Sequence, residues 1–276
     1  MSAGAFFIVL LAAVLHAGWN LVVKSSSDKL VATWAILLVG GIAGTVVLIV
    51  VGLPGSSTIP WLVASVVAHL LYPLALAASY ESVDLSIAYP IARGVAPVVV
   101  AVAGVALLGD SISLWGAIGL LAIVAGVFVL AQRLPKRNEM TWPLATGATI
   151  AAYTFLDGGG VRAGDESLRF ISAVFALSSI GLTSIVMVKR GPAAMVQRVR
   201  DSWWRTALGG CASAGAYLLV LIAARSNPLG LVAGLRETSA AFGVIGAAVL
   251  LHEDVSRKHF LTVSLMVAGA ALIAVS

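Results

Sequence analysis

The chain has 276 residues, 60% hydrophobic and only 11% charged, with a mean hydropathy of +1.04; soluble domains carry about 25% charged residues, so this surface cannot face water on every side. A formal charge of +5 and a pI near 9.7 would suit a nucleic-acid partner if the cations gathered on one face, but they sit in short gaps between apolar runs, as the loop cations of membrane proteins do. Cys211 is the single cysteine and lies in an apolar stretch, which excludes a disulfide framework and a cysteine-rich metal site.

A helix needs roughly 20 mainly apolar residues to cross a bilayer core of about 30 Å. The first run, Ala3–Val23, follows a start without basic residues and is too long for a signal peptide, so it reads as a retained span. Val31–Val51, Ile59–Ala78, Leu85–Leu108 and Ser113–Ala131 follow. A polar linker, 132–141, separates them from Trp142–Leu156, Phe170–Val188, Trp203–Ala224, Asn227–Leu251 and Phe260–Val275. The runs are too long for barrel strands and lack their period-2 alternation. The expected fold is all-α and integral to the membrane, with ten transmembrane helices.

Trp34, Trp61, Trp115, Trp142, Trp203 and Trp204 stand near run starts, where interfacial tryptophans belong. Gly40…Gly44 and Ala122…Gly126 have the spacing that lets helix backbones approach closely. Odd-numbered gaps hold Lys24, Lys29, Arg133, Lys136, Arg137, Lys189, Arg190, Arg198, Arg200, Arg205, Arg257 and Lys258; even-numbered gaps hold only Arg162, Arg169 and Arg225. The positive-inside rule then makes the odd loops cytoplasmic and leaves both termini outside.

The second half repeats the first. Leu107–Ser113 matches Leu250–Ser256 at an offset of 143 residues, and in the same register Arg93 falls on Arg236. An offset of 137 places His16 on Tyr153 and Asn20 on Asp157. Five spans per half invert the second half, giving two repeats, 1–131 and 142–276, around a central cavity near the bilayer midplane. His16-Ala17-Gly18-Trp19-Asn20, the stretch Ala151–Gly158, and the Leu-Leu-x-[Asp/Glu] endings of the fourth and ninth runs resemble the EamA family of the drug/metabolite transporter superfamily. That resemblance covers nearly the whole chain. It implies a ten-helix transporter whose cavity is built mainly from helices 1, 3, 4, 6, 8 and 9, in a family that often exports amino acids or similar metabolites. Family members are often drawn with both termini cytoplasmic, which disagrees with the charge count; the charge count belongs to this sequence and is kept.

Arg93 and Arg236 lie deep in apolar helices, where a lone arginine costs roughly 2.5–3.5 kcal/mol on insertion scales, so each needs an interior partner. Either they bind an anionic group of a solute, a carboxylate suiting arginine's planar fork, or they enter an internal ion pair such as Arg93 with Glu237; a pair that breaks on binding would do both. Glu237 also suits a proton carrier. Asp157 ends the sixth run before Gly158-Gly159-Gly160, either terminating the helix or lining the cavity. His16, Trp19 and Asn20 form a polar turn within the first run, and Tyr89, Arg93 and Pro97 form a ladder in the fourth. Pro90 and Pro97 free carbonyls beside a cavity. Tyr72, Tyr153 and Tyr217 add rings with a hydroxyl, suited to an amphipathic or aromatic solute, while Tyr80 and His69 accompany them. Glu81, Asp84, Asp110, Glu253 and Asp254 sit at helix ends and read as solvated.

The expected function is a secondary transporter or facilitator exporting amino acids or related small polar metabolites across the inner membrane by alternating access. An importer or exchanger of phosphorylated, phosphonate or sugar-linked metabolites would use the same arginines. Paired aspartates, a His-Glu-x-x-His motif or a nucleophile with its base are missing, so an enzyme is not expected; nor is a channel, for want of a filter loop. No phosphate-loop pattern appears and no cofactor is expected. The partners are a small solute and membrane lipid, and a ten-helix repeat pair encloses its own site as a monomer.

Overall fold

The computed structural model describes every residue except 25, 132–134, 165–166 and 251–255. Arg133 in the linker and His252, Glu253 and Asp254 of the second repeat ending lie outside the described residues. Among those described, the chain is helical without strands: α1 (Ala3–Lys24), α2 (Lys29–Val51), α3 (Ile59–Ser82), α4 (Leu85–Leu108), α5 (Leu114–Val129), α6 (Thr141–Arg162), α7 (Ser167–Ala224), α8 (Leu229–Arg236), α9 (Ser239–Leu250) and α10 (Arg257–Ala274). Six of the described helices are long and apolar enough to cross a membrane. Their outer faces are apolar and exposed, as at Phe7, Ile49, Val50, Val102 and Val267, a surface that suits contact with lipid.

Helix ends are fixed by local chemistry. Asp28 caps α2 by accepting from the Leu30 and Val31 N–H groups, and Ser113 caps α5 by accepting from Gly116 N–H. Gly109 closes α4 in the left-handed conformation (φ 71°).

Three boundaries differ from expectation. The seventh and eighth runs share one element: α7 bends at Gly191 (φ 77°) and Ser202 into segments 167–190, 192–201 and 203–224. The ninth run is not continuous. It breaks at Glu237-Thr238, where Glu237 N–H bonds to Gly234 O (2.9 Å) and Thr238 N–H to Leu235 O (3.1 Å), one residue tighter than an α-turn. The sixth helix does not end at Asp157 but continues to Arg162, because its three glycines are packing surfaces. A Cβ at Gly158 would meet Leu229, one at Gly159 the Trp61 ring, and one at Gly160 the Phe170 ring.

Close helix packing follows the small residues. Gly41 and Gly44 of α2 lie against Ser179 and the Ser172 carbonyl of α7, and Gly126 of α5 lies against Thr262 and Met266 of α10. Trp115, Trp142, Trp203 and Trp204 are exposed as interfacial residues should be, but Trp34 is only 5% exposed. Its indole N–H donates to Thr183 Oγ1 (2.9 Å), so it ties α2 to α7. The main core gathers α1, α4, α5, α6, α8 and the 203–224 segment around Val9, Val100, Ile123, Ile150, Val220 and Leu235.

Candidate functional site

The break in the ninth span presents four consecutive polar residues to the protein interior: Arg236, Glu237, Thr238 and Ser239 are all buried. Glu237, fully buried, faces two guanidinium groups. Arg93 Nε lies 2.7 Å from Glu237 Oε2, and Arg236 Nη2 lies 3.5 Å from Oε1. The internal pair anticipated between Arg93 and Glu237 is therefore present, with Arg236 as its third member. Arg93 also reaches His16 Nε2 and Ser239 Oγ, each at 3.4 Å, and its guanidinium lies 5.8 Å from the centre of the Tyr89 ring. Two cations share one carboxylate, and Arg236 Nε has no hydrogen-bond partner among the described residues. A buried donor left unmatched costs about 1–3 kcal/mol, and a ligand oxygen would satisfy it.

α1 contributes less than expected. His16 Nδ1 accepts from the Trp19 indole N–H (3.3 Å) while its Nε2 faces Arg93. Asn20 is exposed and donates to His16 O on its own helix (2.7 Å), so it stands outside the buried cluster.

A second polar centre forms around Asp157, which is fully buried. Ser65 and Tyr217 hydroxyls both donate to its carboxylate, and His69 Nε2 lies 2.9 Å from Oδ2. Three elements supply these groups: α3, α6 and the 203–224 segment of α7. His69 stacks on Tyr153 with ring centres 4.5 Å apart, and Tyr153 meets Tyr72 and Tyr217 edge-on at 5.8 and 6.4 Å. Ser65 was not singled out by sequence, and His69, noted there only beside Tyr72, is a direct partner of Asp157. Their signal was available: with Tyr72 they fall at i, i+4 and i+7 on one face of α3. Tyr80 is 41% exposed and takes no part.

Asp110 departs from its expected solvation. Its side chain is only 8% exposed and pairs with Arg162 Nη1 (2.8 Å), while its other oxygen accepts Leu229 N–H (2.7 Å). Arg162 also donates to Ala224 O (2.9 Å) and Asn227 O (2.6 Å). This polar knot binds the end of α4 to the ends of α6 and α7 and the start of α8. Glu81 and Asp84 are exposed as expected. Among the described residues, no group of three or more His, Cys, Asp and Glu side chains is placed to hold a metal ion.

No family model matches the chain. A crystal structure of another protein superposes over 100% of this chain and 98% of its own length with a TM-score of 0.79, at 17% identity, a likeness of fold alone. In sequence, the multidrug resistance protein EbrB of Bacillus atrophaeus is 38% identical over 80 residues, 29% of this chain and 68% of that protein. The chain belongs to the EbrB family. The EbrB of Bacillus subtilis (strain 168) is 40% identical over 73 residues, 26% of this chain and 62% of that protein. This EbrB-family chain thus spans about two thirds of the length of the curated relatives it matches, and most of its own length lies outside those matches. The long apolar helices make the protein a multi-pass membrane protein.

Proposed function

We propose that this protein is an exporter of small amphipathic metabolites, amino acids among them, working by alternating access between two inverted five-helix halves of EamA-like architecture. The halves are 1–131 and 142–276, joined by 132–141, with the odd-numbered loops cytoplasmic and the inner membrane as location. One observation carries the reading: two arginines share one buried carboxylate at a broken helix, leaving one guanidinium nitrogen to be matched by a solute anion. Broken helices at the bilayer midplane are where secondary transporters hold their substrates. The aromatic rings of Tyr72, Tyr89, Tyr153 and Tyr217 suit the apolar part of the same solute.

The packing supports the repeat. Gly269 touches the Gly119 carbonyl, and Gly126 touches the Thr262 carbonyl. Replacing each residue by its counterpart 143 positions away turns the first contact into the second, as a two-fold axis between α5 and α10 requires. The helix pairings agree: α6 packs on α3 and α4, and α1 packs on α7 and on α8 and α9.

A second reading has its own support. The relatives are named for multidrug resistance, and buried Asp157 among stacked rings suits a lipophilic cation. Reconstituted liposomes separate the two. Amino-acid flux that Arg236→Gln abolishes supports the first; flux of a quaternary ammonium dye that Asp157→Asn abolishes and Arg236→Gln spares supports the second. Flux of phosphonate or phosphosugar alone moves the substrate class to phosphorylated metabolites, and transport unchanged in both variants refutes this placement of the site.

A further inference from the structure

The segment 192–201 sits between two bends, at Gly191 and Ser202, while the helices flanking it, 167–190 and 203–224, are each long enough to cross a ~30 Å apolar core. The segment must therefore run along the membrane surface. Met195, 6% exposed, packs it down with Val31, Trp34, Leu182 and Val186. Its other side is open: Val196 and Val199 are exposed, and Trp203 and Trp204 follow, exposed at the next bend. Pro192, Ala193, Val196, Gln197, Arg200 and Asp201 line a shallow cavity over this side.

The charge of the stretch is one-sided. Between 189 and 205 stand Lys189, Arg190, Arg198, Arg200 and Arg205 against Asp201. Arg190 is matched by Asp28 at 2.8 Å, and Arg205 lies over the Trp204 ring. Arg198 is not matched. Its Nε and one Nη are buried without a hydrogen-bond partner among the described residues. Apolar side chains, interfacial tryptophans and an excess of cations at one level, exposed Arg200 among them, suit a lipid whose headgroup is an anion, since a phosphodiester accepts from a guanidinium while its chains cover the valines.

We propose that 192–201 is a binding surface for anionic phospholipid headgroups in the leaflet beside it. The test uses the full chain in phosphatidylcholine vesicles with a trace of spin-labelled phosphatidylglycerol or spin-labelled phosphatidylcholine, and reads the immobilised fraction of each. Labelled phosphatidylglycerol associates in preference, the preference falls about fivefold for each cation removed in Arg198→Gln/Arg200→Gln, and Arg225→Gln at the other end of α7 keeps it. Should the double variant fail to assemble, Arg200→Gln alone, an exposed position, shows the single step. Equal immobilisation of the two lipids, a preference that survives the substitutions, or displacement of the label by inorganic phosphate would each overturn the proposal.

Discussion

Glu237→Gln tests the charge cluster directly. At an effective dielectric of about 20, attraction across 2.7 Å and 3.5 Å amounts to ~6 and ~5 kcal/mol. Desolvation of three buried charges offsets much of this, and removing one member of a buried pair typically costs about 3–5 kcal/mol because its partners remain charged and unmatched. Here two partners remain, Arg93 and Arg236, which then repel each other. With roughly 2–4 °C of melting temperature per kcal/mol at this chain size, the expected loss is on the order of 10 °C. Purified protein in detergent, followed by tryptophan fluorescence on heating, reads it. Arg93→Gln/Glu237→Gln restores part of the loss, with a coupling energy on the order of 2 kcal/mol. A single variant that melts within about 2 °C of the parent protein, less than 1 kcal/mol on the same scale, would refute the picture of an unhydrated, mutually dependent cluster.

Two other perturbations address the ends of the bundle. Asp110→Asn loses a charge-assisted contact to Arg162 and weakens that to Leu229 N–H, for about 1.5–3 kcal/mol, whereas Glu81→Gln at an exposed helix end is near neutral; equal melting temperatures for the two would return Asp110 to the solvated class. Burial pushes the Asp28 carboxyl up, but the Val31 N–H, the Arg190 guanidinium and the Leu30 N–H outweigh it and hold it below its ordinary 3.8. Its stabilising contribution is therefore complete above that value and lost as pH falls through the lower folded one. With side chains 46% and 40% exposed in the Arg190–Asp28 pair, solvent screens the effect and it is small. Asp28→Asn flattens this part of the acid-unfolding profile, and an unchanged profile refutes the assignment.

Composition and run length made the membrane class and most helices legible, because a span must be apolar along its whole length whatever it packs against. Arg93, Arg236 and Glu237 were legible for the converse reason: buried charge in an apolar run must find a partner. What escaped reading depended on neighbours far along the chain. Asp110 looks like any carboxylate at a helix end until Arg162 and Leu229 are brought to it. Gly158–Gly160 looks like a terminator until Trp61, Phe170 and Leu229 fill the space above it. The break at Glu237-Thr238 lacks Gly or Pro, and its only local trace is the polar run Arg236–Ser239. Trp34 shows the same limit in reverse, an interfacial residue by position that packing has drawn inside.

The eight-residue helix α8 is fastened to α4 along its whole length. Asp110 holds its first N–H, Ala101 fits against Gly230, and Arg93 grips the carboxylate just past its last turn. Strut and support therefore move as one body. If the two halves rock as proposed, the tightened turn at Glu237-Thr238 is where this span would bend, with α9 swinging while α8 stays. Arg236, the residue proposed to meet the solute, stands one position before that joint, so on this reading occupancy and motion need no distant relay.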